Sequence, residues 1–261
     1  MRFKTQGRVV SALGRISFLF LLLFAITAEL AAATIQPDRI ICRDDLPFSK
    51  REDLAAKLRL ITGWSNLSFD ERGVLRFDSR RAQGGSKTAR DLLQQVQDGR
   101  NIIIIENASD RQDVVFSRVV PAQWKHHAAN TPPAFVVLID FADFDHLLGD
   151  PAALRSFDVA WGLMHELDHV VNDSQDPLDI AGVGDCEKRI NSMRVELSLP
   201  IRAGYYFTYF PDAQESGFKT RFVRLAFEQR DPATTKPHRY WVMWDATLVG
   251  GLEMKQVASR Q

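Results

Sequence analysis

The feature that most constrains this 261-residue chain is a helical pattern over residues 150–172 with two histidines four positions apart on its polar side. Asp150 followed by Pro151 suits a helix start, because proline is tolerated at the first helical position. At about 100° per residue, Phe157, Val159, Ala160, Leu163, Met164, Leu167, Val170 and Val171 gather on one face. Asp158, Gly162 and Asn172 share the opposite side with the histidines. His165-Glu166-Leu167-Asp168-His169 has HExxH spacing, which brings both imidazoles within about 40° of each other and within reach of one ion. Glu166 stands on the flank, placed to touch a water on that ion without ligating it. Zinc held by two imidazoles and a carboxylate keeps an open position, and its water becomes a nucleophile near neutral pH. The pattern points to a zinc site with His165 and His169 as ligands and Glu166 as catalytic base. The alternative is two exposed histidines on a cleft wall.

The N-terminus reads as an address. Arg2, Lys4, Arg8 and Arg15 precede an apolar run over residues 16–28, and Ala31-Ala-Ala33 offers a small-residue cleavage site. A spanning helix needs about twenty apolar residues, so a cleaved secretory signal over residues 1–33 is expected, with an uncleaved anchor as the alternative. The whole chain carries 33 basic and 33 acidic side chains. Removing residues 1–33 takes four bases and one acid and leaves a net charge of −3. That balance gives no support to nucleic-acid binding. It fits an exported protein, periplasmic or secreted, with no stable membrane insertion once the signal is gone; the oligomeric state stays open. Two cysteines, Cys42 and Cys186, remain. In an oxidising compartment they are expected to form a disulfide, and two buried thiols are the alternative.

Between the termini the pattern alternates. Ser49 to Glu52 has capping-box spacing ahead of a helix that should stop at Gly63. Residues 67–77 read as a hairpin around Asp70 and Gly73, and Ala89, Leu92, Leu93 and Val96 mark a helix stopped by Gly99. Residues 101–106 and 134–139 are apolar strands, with a weaker strand within 113–120. Residues 219–228 and 239–249 form an aromatic-rich C-terminal hairpin, and no repeat or linker divides residues 34–261. In a helix starting near Asp185, Glu187, Asn191 and Arg194 share one face, while Cys186, Ile190, Met193 and Leu197 share the other.

The HExxH helix resembles the active-site helix of zincin metallopeptidases. The downstream stretch Glu187-Lys-Arg-Ile-Asn191-Ser-Met-Arg194-Val-Glu196-Leu-Ser-Leu199-Pro200-Ile-Arg202-Ala-Gly-Tyr205 is similar to the N-x-x-R-x-E-L-G-L-P-x-R-x-x-Y segment of bacterial effector and toxin-type zincins. The likeness runs over roughly residues 91–206. Ser198 stands where glycine is usual, Ile190 where an acid often precedes the asparagine, and Asp168 where zincins prefer an uncharged residue. The resemblance implies an α+β, zincin-like fold, with the HExxH helix packed on a small mixed sheet. It also implies a zinc metallopeptidase acting on a peptide or protein substrate. The third metal ligand it implies is Glu187, 18 positions after His169, with Asp185 as runner-up. Asn191 would then orient a histidine, and Arg202 or Tyr205 would stabilise an oxyanion. HExDH also occurs in peptide deformylases, but their Gly-rich and E-G-C-L segments are absent. A non-catalytic zinc-stabilised module and a metal-free envelope protein remain as other classes.

Overall fold

The computed structural model describes residues 38–109, 111–122, 131–177, 182–209, 221–231 and 234–249. The expected signal segment lies outside them. Among the described residues no helix is long and apolar enough to cross a membrane.

The chain is mixed α+β. Strand β1 (Ile40–Cys42) leads into helix α1 (Phe48–Thr62), the small hairpin β2 (Ser68–Phe69) and β3 (Leu75–Arg76), helix α2 (Lys87–Asp98) and strand β4 (Ile102–Asn107). Strands β5 (Ser117–Pro121) and β6 (Ala134–Ile139) complete a four-stranded sheet of order β1-β4-β6-β5. β1, β4 and β6 are parallel, and β5 runs antiparallel at the edge. The runs of isoleucine and valine in β4 and β6 fit strands with both neighbours paired, where branched side chains pack well on the pleat. Short helices α3 (Phe141–Asp145) and α4 (Pro151–Leu154) flank β7 (Leu148–Gly149) and precede α5 (Val159–Asn172), the HExxH helix. α6 (Gly184–Glu196) follows, then β8 (Ile201–Arg202) and β9 (Thr208–Tyr209). The long hairpin β10 (Phe222–Arg230) and β11 (Pro237–Asp245) comes last. A second sheet has order β7-β11-β10-β8, with β9 also paired to β10.

One continuous core joins the four-stranded sheet to α1, α2, α5 and α6, through Leu54, Leu58, Leu93, Ile103, Val137, Leu163, Leu167 and Ile190 among others. A second core sits on the hairpin sheet around Phe116, Leu225, Phe227 and Trp244. α5 lies against both β5 and β6, so the HExxH helix is backed by the edge of the mixed sheet.

Three local expectations change. α1 begins at Phe48 with Pro47 as N-cap and no side-chain cap, so Ser49 and Glu52 form no capping box. The helix expected from Asp150 to Asn172 is broken: α4 stops at Leu154, and α5 starts afresh with Asp158 accepting from Ala160 and Trp161 N–H. Asp150 instead takes the Trp241 N–H at 2.7 Å, tying α4 to the hairpin. The two cysteines are not bonded to each other. Cys42 is buried in β1, hydrogen-bonded through its backbone N–H to Gly73, and Cys186 is buried in α6 against His165.

Candidate metal centre

α5 holds both histidines because its apolar face is packed: Val159, Ala160, Leu163, Met164 and Leu167 are buried in the core, which turns the opposite side toward a cleft. His165 and His169 meet there with their Nε2 atoms 3.1 Å apart. His169 Nδ1 lies 2.7 Å from the Ser174 carbonyl. A carbonyl only accepts, so Nδ1 carries a proton, and Nε2 is the nitrogen that faces Asp176 and the cleft, free to ligate an ion once it has given up its own proton.

The third group at this point is Asp176. Its Oδ1 is 3.2 Å from His165 Nε2 and 3.5 Å from His169 Nε2. Asp176 lies on the turn after α5, which folds back over the histidines. Gly184 lets it close: at φ +72 a side chain would be strained, and a Cβ would come within 2.7 Å of Pro177. Tyr205 hydrogen-bonds Asp176, and Tyr206 donates to the Pro177 carbonyl at 2.7 Å. Burial opposes the negative charge on Asp176, but hydrogen bonds from His165, His169 and Tyr205 overcome it and hold its pKa far below the usual carboxylate range. Burial likewise opposes charge on His165, and Asp176, Cys186 and Glu187 outweigh it and raise its pKa.

Glu187 is placed elsewhere. Its Oε2 approaches the other nitrogen of His165, Nδ1, at 3.4 Å. It is fixed there by two guanidinium groups: Arg194 pairs with Oε1, and Arg202 Nη1 donates to Oε2 at 3.0 Å. Burial penalises its charge, and the two arginines more than compensate, pulling its pKa well below normal. The helical projection groups Glu187, Asn191 and Arg194 correctly, since Arg194 bonds both others. Asn191 does not reach a histidine; it bonds the Arg202 backbone in both directions. Asp185 is exposed and paired with Lys188 at 2.9 Å. Cys186 Sγ sits 3.3 Å from His165 Nδ1, so His165, His169 and Cys186 together offer atoms within 4.8 Å of one another. That thiol is on the ring edge away from Asp176, and burial raises its pKa.

Glu166 is buried one position along the helix, and Ser117 Oγ donates to its Oε1 at 2.8 Å. Ser117 begins β5 directly after Phe116, whose φ of +64 is a left-handed conformation costing about 1–3 kcal/mol in a bulky residue. Two hydrogen bonds hold it: the Phe116 N–H donates to Asp143 at 2.8 Å, and its carbonyl accepts from Asp140 N–H at 2.8 Å. A cavity of about 110 Å³ opens beside Glu166 and His165, walled by Phe116, Phe144, Phe157, Tyr205 and Arg202. Gly162 forms part of this wall, where a Cβ would lie 3.1 Å from Phe144 and 3.2 Å from Ser117 Oγ. Arg202, besides Glu187, donates to the Gly204 and Tyr205 carbonyls.

Asp176, Ser117 and Ser174 carried no motif in the sequence. Asp176 is one of several acids in a loop without periodicity, and only the turn that follows α5 brings it to the histidines.

No family model, no curated protein and no solved structure matches the chain.

Proposed function

We propose that this chain is an exported zinc-dependent peptidase of zincin-like fold, with His165, His169 and Asp176 as metal ligands and Glu166 as catalytic base. The observation that carries the reading is the triangle of donor atoms, with sides of 3.1, 3.2 and 3.5 Å. Three tetrahedral ligands at zinc–nitrogen and zinc–oxygen distances of about 2.0–2.1 Å stand about 3.3–3.4 Å apart. Two neutral imidazoles and a carboxylate form a donor set that zinc favours, and three protein ligands leave a fourth position for water or substrate. Glu187 stays behind His165, where it and Cys186 orient the ring through Nδ1.

Zinc, when bound, supplies a polarised water of lowered pKa at that fourth position. Glu166 accepts a proton from the attacking water and returns it to the leaving amine. Ser117 holds the Glu166 carboxylate in place through Oε1. Tyr205 lines the cavity, but its one hydroxyl proton goes to Asp176, so holding that carboxylate is the role that fits it. Arg202 has its donors engaged with Glu187, Gly204 and Tyr205, so orienting Glu187 is the role that fits it. The basic and apolar segment of residues 1–33 supports export.

The test is zinc content measured beside cleavage of a peptide library, with and without chelator. Glu166→Gln should keep about one zinc per chain and lose several orders of magnitude in turnover, since the base alone is removed. Unchanged turnover in that variant refutes the mechanism, and a wild-type protein without zinc refutes the site.

A further inference from the structure

Asp168 carries a charge at the variable position of HExxH next to the second histidine, and the chemistry above makes no use of it. Its side chain is wholly buried. Both oxygens are engaged: Oδ1 accepts from Asn172 Nδ2 at 2.7 Å and pairs with Arg189 Nε of α6 at 2.6 Å, and Oδ2 accepts from Ser174 Oγ at 2.7 Å. Ser174 is therefore gripped from both ends. Its hydroxyl donates to Asp168, and its carbonyl takes the Nδ1 proton of His169 at 2.7 Å. Asp176 follows two residues later on the same turn.

We infer that Asp168 is a positioning residue for the metal centre, acting through Ser174 to set the orientation of His169 and the place of Asp176 together. This rests on the zinc reading of the site. A buried carboxylate needs its partners, since an unpaired charge in the interior is costly. The turn is thus held in the one arrangement that gives Asp168 a hydroxyl, and that arrangement brings Asp176 to the histidines. An uncharged, aliphatic residue at position 168 would remove the tie at the Ser174 hydroxyl and leave the turn to the His169–Ser174 and Tyr206–Pro177 bonds and to the contacts of Asp176 itself with Tyr205 and the histidines. The link to α6 through Arg189 adds a second consequence. α6 also carries Glu187 and Cys186, the groups at His165 Nδ1, so one carboxylate registers the elements that orient both imidazoles.

The experiment titrates the full-length protein with zinc against a chromophoric chelator, with thermal unfolding of the metal-free protein in parallel. Ser174→Ala removes only the hydroxyl from a partly exposed turn. It should weaken zinc binding about 10–100-fold, the usual cost of losing a group that orients a ligand, while the metal-free protein, in which Asp168 keeps Asn172 and Arg189, still unfolds cooperatively with a midpoint lowered by only about 2–8 °C. Ser174→Thr restores the hydroxyl and should recover affinity to within about threefold of wild type. Asp168→Asn, which keeps the shape and one acceptor, should fall between the two. In the cobalt-substituted protein the visible absorption of Ser174→Ala should shift, because the carboxylate no longer sits at a fixed distance. Wild-type affinity in Ser174→Ala overturns the inference, as does a Ser174→Thr protein as weak as the alanine variant. A wild-type chain that takes up no zinc overturns the metal centre itself, a result distinct from either.

Discussion

Replacing Asp176 by alanine should strip the metal from a protein that keeps its stability, whereas replacing Glu187 should destabilise the fold and leave the proposed metal ligands in place. Asp176 is 42% exposed at its side chain, while Glu187 is 1% exposed and faces Arg194 at 2%. Removing an exposed carboxylate from an ion pair costs the metal-free chain about 1 kcal/mol or less. Removing Glu187 leaves the Arg194 guanidinium buried without its counter-charge, at a cost of about 3–5 kcal/mol. For a domain of this size about 1 kcal/mol moves the unfolding midpoint by about 2–4 °C. Glu187→Ala should therefore melt about 6–20 °C below wild type in chelator, and Asp176→Ala within a few degrees of it. The order reverses for zinc. Asp176→Ala should lose more than the 10–100-fold that an orienting group is worth, because two imidazoles alone hold the ion poorly. Glu187→Ala, assayed at a temperature where it is folded, should stay inside that range. Asp185→Ala serves as the neutral control, within about 0.5 kcal/mol and with unchanged affinity. Chelator competition and thermal unfolding on the three variants read all of this. Zinc retained by Asp176→Ala and lost by folded Glu187→Ala would refute the assignment and restore Glu187 as the ligand.

Zinc should stabilise the folded chain by about 2.7 kcal/mol at a free concentration one hundred times Kd, so chelator should lower the midpoint by about 5–11 °C; an identical midpoint with and without chelator would remove the metal from the account. Asp143, buried near Asp140 and His146, has its pKa pushed up to about 7, chiefly by burial. The folded state thus holds that proton more tightly than the unfolded one, and wild-type stability should fall as pH rises from about 4 to about 7, by up to about 4 kcal/mol. Asp143→Asn still offers an oxygen to the Phe116 N–H and should gain on wild type over that window; a difference equal at pH 5 and pH 8 refutes this. Burial holds the Cys42 thiol up at about 12 and raises that of Cys186 as well, so both are protonated at neutral pH. Mass spectrometry after alkylation of non-reduced, unfolded protein should find both modified, and a species two hydrogens lighter would establish a disulfide instead.

What the sequence made legible follows the reach of each physical signal. The HExxH face of α5 is readable because 3.6-residue periodicity separates Leu163, Met164 and Leu167 from His165 and His169, and burial obeys that separation. The same projection groups Glu187 with Asn191 and Arg194 on α6. Periodicity states which side chains share a face but not which edge of an imidazole they meet. Arg194 and Arg202, distant in sequence from the histidines, hold Glu187 at Nδ1 rather than Nε2. The break before α5 escaped because Phe157 and Val159 continue the apolar spacing. Asp158, read as one more polar-face residue, is a cap, and it lets α4 follow the hairpin while α5 follows the sheet. The two-residue strands β7, β8 and β9 are too short for alternation to register.

Asp176 shows the limit most directly. Nothing in residues 173–177 repeats, so no period marks one acid over another, and its place depends on Asp168, Ser174, Gly184 and Tyr206 acting together. The departure at Asp168 was nevertheless visible as a charge where the motif it resembles prefers an uncharged residue. A buried charge has to be answered by donors, and the polar groups available to answer it are those of the turn and the next helix. Asn172 and Ser174 stand four and six positions on, and Arg189 lies on α6. The anomaly in the motif thus points toward the segment that completes the site. Asking what neutralises a misplaced charge reaches further along this chain than asking which acid has the expected spacing.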